Sequence, residues 1–260
     1  MPKFGFRISG FGLPLAPKRT GVYVSLVRRS IQPSWIFVVT LLSPMAAVAE
    51  KVSVASIEPA DLVEYETEPE AVKRLIEVSL ALTKKPLGYR FGSNSPEKGG
   101  MDCSGTVQCA LARHGFEKLP RSSWDFYRWV EDSGALVLTP GVTTTEDAVF
   151  EQLRPGDLLF WEGSYETVDR DPPISHVMIY LGTLKGDGQG VVFGASEGRR
   201  YRGKKIHGVS VFDWTVPKAG SNSKFTGYGP IPGLRPVAPE SPPGGAKVLK
   251  TLLEKLVKKP

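Results

Sequence analysis

The hydrophobic pattern of this chain changes period once, and that change limits the fold more than any other feature. In the first half, apolar side chains recur at helical spacing. Thr67-Glu68-Pro69-Glu70 reads as a helix start, with Thr67 as the N-cap. Val72, Leu75, Ile76, Ser79 and Leu80 follow on one face, and Pro86 closes the segment. Gly88 to Gly100 is a loop rich in Gly, Ser and Asn. A second helix is expected from Cys103 to Arg113, with Gly115 as its stop. Leu119-Pro120-Arg121-Ser122-Ser123 opens a third, which carries Trp124, Phe126, Tyr127 and Trp129.

Beyond it the pattern turns to short apolar runs between turns. Arg154-Pro155-Gly156-Asp157 is a turn and Leu158–Trp161 a strand. Residues 162–174 read as a polar loop. His176–Leu181, Val191–Phe193 and Val209–Trp214 read as three more strands. Helices first and turn-linked strands afterwards predict an α+β fold with an antiparallel sheet. Residues 50–66 read as a polar, extended leader. Residues 229–245 read as a Pro/Gly-rich linker, and 246–260 as an amphipathic basic tail helix, docked or solvated, with attachment to an anionic surface as the alternative.

Composition narrows the class. Hydrophobic residues make up 41% and charged residues 23% of the 260. These values exclude a disordered, collagenous or multi-span membrane protein. The formal charge of +6 is misleading, because residues 1–49 hold six basic residues and no acidic one. The rest sums to zero, so the folded part lacks the basic footprint of a nucleic-acid binder. Arg28 and Arg29 precede the apolar run Trp35–Leu42, Pro44 breaks it, and Ala47-Val48-Ala49 offers small residues for cleavage. That is a secretory signal layout, with an uncleaved signal anchor as the alternative. The run falls short of the about 20 residues of a membrane span. The protein is thus expected to be exported, touching membrane only through this segment or the tail. No cysteine adjoins the cleavage site, which argues against lipid anchoring there.

Export makes the two cysteines informative. Cys103 and Cys109 are six residues apart in one expected helix. Six residues rise about 9 Å along a helix, beyond the about 7 Å that a disulfide spans. Both are therefore expected to be free thiols. Cys103 opens its helix, where unpaired N–H groups and the helix dipole favour a thiolate and can receive an oxyanion. His176, from a distant strand, is the candidate base. His114 suits a helix end without any function, and His207 lies in a basic loop and is expected to be solvated. Arg199-Arg200-Tyr201-Arg202-Gly203-Lys204-Lys205 reads as a solvated loop, with contact to substrate carboxylates or acidic polymers as the alternative. No phosphate loop, metal-ligand spacing or cofactor fingerprint is present, so no cofactor and no metal site are expected.

Five segments now fall into one order: Gly88–Gly92, Asp102-Cys103-Ser104-Gly105, Leu119–Ser123, Leu153–Phe160 and Ser175–Gly182. Together they resemble the NlpC-type family of papain-like cell-wall cysteine peptidases over roughly residues 70–200, within a domain taken as 67–228. The resemblance implies a papain-like fold, with amino-terminal helices packed on an antiparallel sheet. It implies hydrolysis of amide bonds in peptidoglycan stem peptides, commonly between D-glutamate and the diamino acid. Cys103 becomes the nucleophile and His176 the base. Tyr89, Ser104 and Arg121 become substrate-contacting positions, with a structural ion pair as the alternative for Arg121. One departure stands out: the family's third polar residue, which orients the base, is replaced by Gly194. That leaves two alternatives: a catalytically impaired wall-binding module of the same fold, or a thiol hydrolase acting on a non-wall substrate.

Overall fold

The computed structural model describes residues 53–235. The signal segment expected over 1–49 and the tail helix over 246–260 lie outside the described residues.

Three helices precede the main sheet. α1 spans Glu70–Thr83, α2 Cys103–His114 and α3 Ser123–Asp132. Ahead of α2 lie two short strands, β1 (Gly88–Tyr89) and β2 (Gly100–Met101), paired in parallel. β3 (Val137–Leu138) follows α3. Then come β4 (Asp157–Glu162), β5 (Ile174–Thr183) and β6 (Gly190–Ser196). A small hairpin of β7 (Arg200–Tyr201) and β8 (Lys204–Lys205) leads to β9 (Gly208–Asp213) and β10 (Lys224–Pro230). The six-stranded sheet has the order β3-β10-β4-β5-β6-β9, with every neighbouring pair antiparallel. The fold is α+β, as expected.

The sheet is buried on both faces. Leu158 and Phe160 of β4, Val177, Ile179 and Leu181 of β5, and Phe193 of β6 face the helices, where they meet Leu75, Ile76, Val107 and Phe126. Leu159, Trp161, Met178, Tyr180 and Val192 point the other way, onto Phe150, Ile206, Phe212, Trp214 and Phe225. This explains why the strands read as continuous apolar runs rather than alternating ones. Each fully buried large side chain contributes roughly 1.5–3 kcal/mol.

Several local expectations need correction. Thr67 does not cap α1. It sits in a 3-10 turn, its hydroxyl donates to the Glu64 carbonyl, and Pro69 takes the N-cap position without a side-chain bond. A local side-chain bond has outcompeted the cap. The helix ends at Thr83, short of Pro86, since proline disfavours helical backbone in the residue before it. The leader is not simply extended. Residues 53–55 lie along β9 through His207 N–H to Ser53 O and Val211 N–H to Ala55 O, and two 3-10 turns follow. Ile57 and Leu62 are buried. This segment covers the backbone of an otherwise open edge strand. The expected linker also begins inside the domain: Ile231 and Leu234 are buried, and Arg235 pairs with Glu68 at 2.7 Å. β10 escaped the sequence pattern because Gly227 and Gly229 interrupt it. A Cβ at Gly227 lies 2.5 Å from the Val137 carbonyl, so strand pairing itself demands the glycine.

Candidate active site

α2 begins where the sequence places it, and its first turn is locked from several sides. Asp102 is the N-cap: its Oδ1 accepts from Gly105 N–H at 2.6 Å and its Oδ2 from Gly92 N–H at 2.8 Å. Arg121 closes a two-pronged pair on the same carboxylate, at 2.8 and 3.2 Å, and also donates to Ser104 Oγ at 3.0 Å. Gly105 has to be glycine, since a Cβ there lies 2.2 Å from the Ser93 carbonyl. Ser104 and Arg121 thus spend their polar atoms on the cap, behind the sulfur. The pocket described below is lined by Tyr89 and His176 but not by them.

Cys103 is buried at the first position of α2. Its sulfur is 4.0 Å from the Ser175 carbonyl, and the Val177 N–H also reaches it. These two groups flank His176 along β5. The β5–β6 ladder runs only as far as Ile179–Phe193, and Gly194 to Ser196 continue in register with β9 alone. The sulfur therefore meets β5 where the sheet splits. This explains how a side chain from the helical layer comes against the backbone of a residue whose neighbours Met178 and Tyr180 face the other layer. Cys103 and Cys109 are both free thiols, as expected.

The electrostatics are unusual for a reactive pair. Burial, and then the Asp102 charge, push the Cys103 thiol up to about 11 against the downward pull of the Val177, Ser104 and Cys103 amides. Burial, and then the Arg199 guanidinium, hold the His176 imidazole down at about 3. In the free protein both groups are neutral at pH 7. Tyr89, half-buried, has its phenol pushed well above its ordinary range by burial and by the Cys103 and Asp102 charges. It stays protonated, and its hydroxyl has no hydrogen-bond partner among the described residues.

His176 packs on the fully buried Trp161, ring centroids 5.6 Å apart. Its Nε2 is buried without a partner. Gly194 offers no substitute, and the structure gives the reason: the Met178 side chain fills the space, with Cγ 2.8 Å from where a Cβ would stand. A cavity of about 410 Å³ opens over this end of the sheet, lined among others by Tyr89, Tyr165, His176, Glu197 and Arg199. Arg199 is the residue that sequence reasoning misplaced. Its guanidinium lies over the Trp161 ring at 4.1 Å, while Arg200, Arg202, Lys204 and Lys205 are solvated. The other histidines are elsewhere. His114 Nε2 bonds the Ala71 carbonyl, and His207 is half-buried and bridges to Ser53, not solvated as expected. Among the described residues, no group of three or more His, Cys, Asp or Glu side chains is arranged to hold a metal ion.

Comparison with known proteins follows this geometry. A family model described as "NlpC/P60 family" matches residues 87–211, a span that holds Tyr89, Cys103, His176 and Arg199. No curated protein matches the chain. Among solved structures, it is similar to one described as "similar to lipoprotein, NLP/P60 family" from Staphylococcus aureus subsp. aureus Mu50. Identity is 22%, the TM-score is 0.32, and the match covers 55% of this chain and 36% of that one.

Proposed function

Residues 87–211 belong to the NlpC/P60 family, and on that premise we propose that this protein is an exported cysteine hydrolase that cleaves an amide bond in peptidoglycan stem peptides, between D-glutamate and the diamino acid. The observation that carries the reading is the position of the Cys103 sulfur: at a helix start, against the backbone on both sides of His176, at a split in the sheet beside an open pocket.

The chemistry runs through a neutral pair. As Sγ attacks the substrate carbonyl, its proton passes to the neutral imidazole of His176. The oxyanion is met by N–H groups at the start of α2 and by the Tyr89 hydroxyl, which is protonated and uncommitted. The imidazolium then protonates the leaving amine as the C–N bond breaks. Water attacks the thioester with His176 again as base, the C–S bond breaks, and the proton returns from the imidazolium to Sγ. The wide gap between a thiol near 11 and an imidazole near 3 opposes a resting thiolate–imidazolium pair. Proton transfer accordingly waits for substrate to displace water and complete the site.

A second reading, a wall-binding module without turnover, draws support from the unpartnered Nε2 of His176 and from Met178 occupying the space above Gly194. One experiment separates the two. The protein and its Cys103→Ala variant are incubated with purified muropeptides, and products are read by mass. Cleavage that disappears in the variant supports the hydrolase. Retention of intact muropeptide by both proteins supports the binder, and cleavage by the variant at the original rate refutes Cys103 as nucleophile. If only peptides from outside the wall are cut, the substrate assignment fails while the thiol chemistry stands.

A further inference from the structure

The pocket beside His176 contains a cation that the fold itself does not neutralise. Arg199 follows β6 at Gly198, and its backbone is fixed by Ile206 N–H to Arg199 O and by Arg199 N–H to Ser196 Oγ. Its guanidinium lies over Trp161, the same ring on which His176 packs. Among the described residues no carboxylate pairs with it and no acceptor takes its N–H groups. Glu197 lines the same pocket but is exposed and forms no ion pair with it. Arginines 90, 170 and 200 also lack a carboxylate but donate to backbone carbonyls; Arg199 differs in lying on Trp161 within the lining of the pocket. Arg199 is half-buried; drawing a guanidinium partly out of water without an anion carries a cost, and the fork of N–H donors matches a carboxylate in two-pronged geometry.

Resting on the hydrolase reading, we propose that Arg199 binds a free carboxylate carried by the substrate residue whose amine is released. The side follows from the chemistry. The imidazole has to protonate the leaving amine, so the leaving half of the substrate lies over His176. Arg199 shares with His176 both the Trp161 ring and the pocket. A diamino acid with a second, free carboxylate fits this requirement, and one whose carboxylates are absent or amidated does not. Neutralising Arg199 also removes one of the two influences that hold His176 down. A cognate substrate thereby makes the imidazole a better base on arrival.

The test uses two peptides that differ only in that group, carboxylate against carboxamide on the leaving residue, and the full chain carrying Cys103→Ala. Calorimetric titration is expected to show the carboxylate peptide binding roughly ten to a hundred times more tightly. Arg199→Gln in the same background brings the ratio near one, and Arg199→Lys keeps part of it as a point charge. Equal affinities for the two peptides, no binding of the carboxylate peptide at millimolar concentration, or a preference that survives Arg199→Gln overturns the proposal. Should Arg199→Gln fail to fold, the ratio on the parent protein still decides. The hydrolase reading is checked separately with Cys103 intact. Cleavage of both peptides at equal rates sinks the carboxylate site alone, whereas discrimination in binding without any cleavage sinks the hydrolase alone.

Discussion

Asp102→Asn tests whether the nucleophile's setting is as described. The Asp102 side chain is 8% exposed and accepts from Gly105 N–H, Gly92 N–H and two nitrogens of Arg121. Asparagine retains one oxygen for the cap on Gly105. Its amide nitrogen then replaces Oδ2 and faces the Gly92 N–H and an Arg121 nitrogen, donor against donor. Two charge-assisted bonds are lost. Because the Arg121 side chain is 38% exposed, the lower end of their range applies, about 1.5 kcal/mol each and about 3 kcal/mol in all. For a domain of this size the melting temperature falls by roughly 6–12 °C. The same change removes a negative charge that raises the Cys103 thiol and leaves Arg121 unmatched within its reach, so the thiol shifts down from about 11. Melting followed by circular dichroism reads the first effect. The pH dependence of Cys103 alkylation, in a Cys109→Ala background, reads the second. A melting point unchanged to within about 2 °C, or a thiol midpoint that stays put or rises, would refute the network as drawn.

Three further outcomes are expected. Gly105→Ala forces a methyl onto the Ser93 carbonyl, whereas Gly194→Ala meets only the flexible Met178 side chain. Urea unfolding should show a loss of about 1–3 kcal/mol for the second and more than about 4 kcal/mol for the first. Leu62→Ala removes a fully buried side chain from the amino-terminal segment and should cost about 2–5 kcal/mol, while an effect near zero would show that this segment is dispensable. Asp157, buried, has its carboxyl raised to about 7, so the folded state holds this proton between about pH 4 and 7 and the group loses stability as pH rises through that window. His176 has the opposite sign: its folded value near 3 makes stability fall as pH drops below 6.5. The two effects offset one another in wild type. Asp157→Asn exposes the histidine effect, and chemical denaturation from pH 6.5 to 4 should show the variant losing about 1.4 kcal/mol per pH unit relative to wild type. Parallel curves would remove Asp157 as the source.

The order of elements and the start of α2 were legible in the sequence because both are local. A helix face repeats within four residues, and the cap Asp102–Gly105 spans three. His176 at the head of an apolar strand was legible for the same reason. Long-range geometry decided the remainder. Arg121 turned to Asp102 rather than to the pocket because α3 approaches the start of α2, a fact no spacing encodes. Arg199 belongs to a run of five basic residues, and only the path of the chain after β6 puts that one side chain on Trp161 and leaves the others in water. The glycine at position 194 was visible as a departure. That Met178 from the neighbouring strand fills its space depended on which faces of β5 and β6 meet. Residues 53–66 and 229–235 looked like leader and linker, and β10 went unread, because their apolar positions are few and broken by Gly and Pro. They joined the domain because a sheet edge and a second core face needed covering. Periodicity and caps are properties of the chain; what stands opposite a side chain is a property of register and packing, and that is where the reactive site acquired its electrostatics.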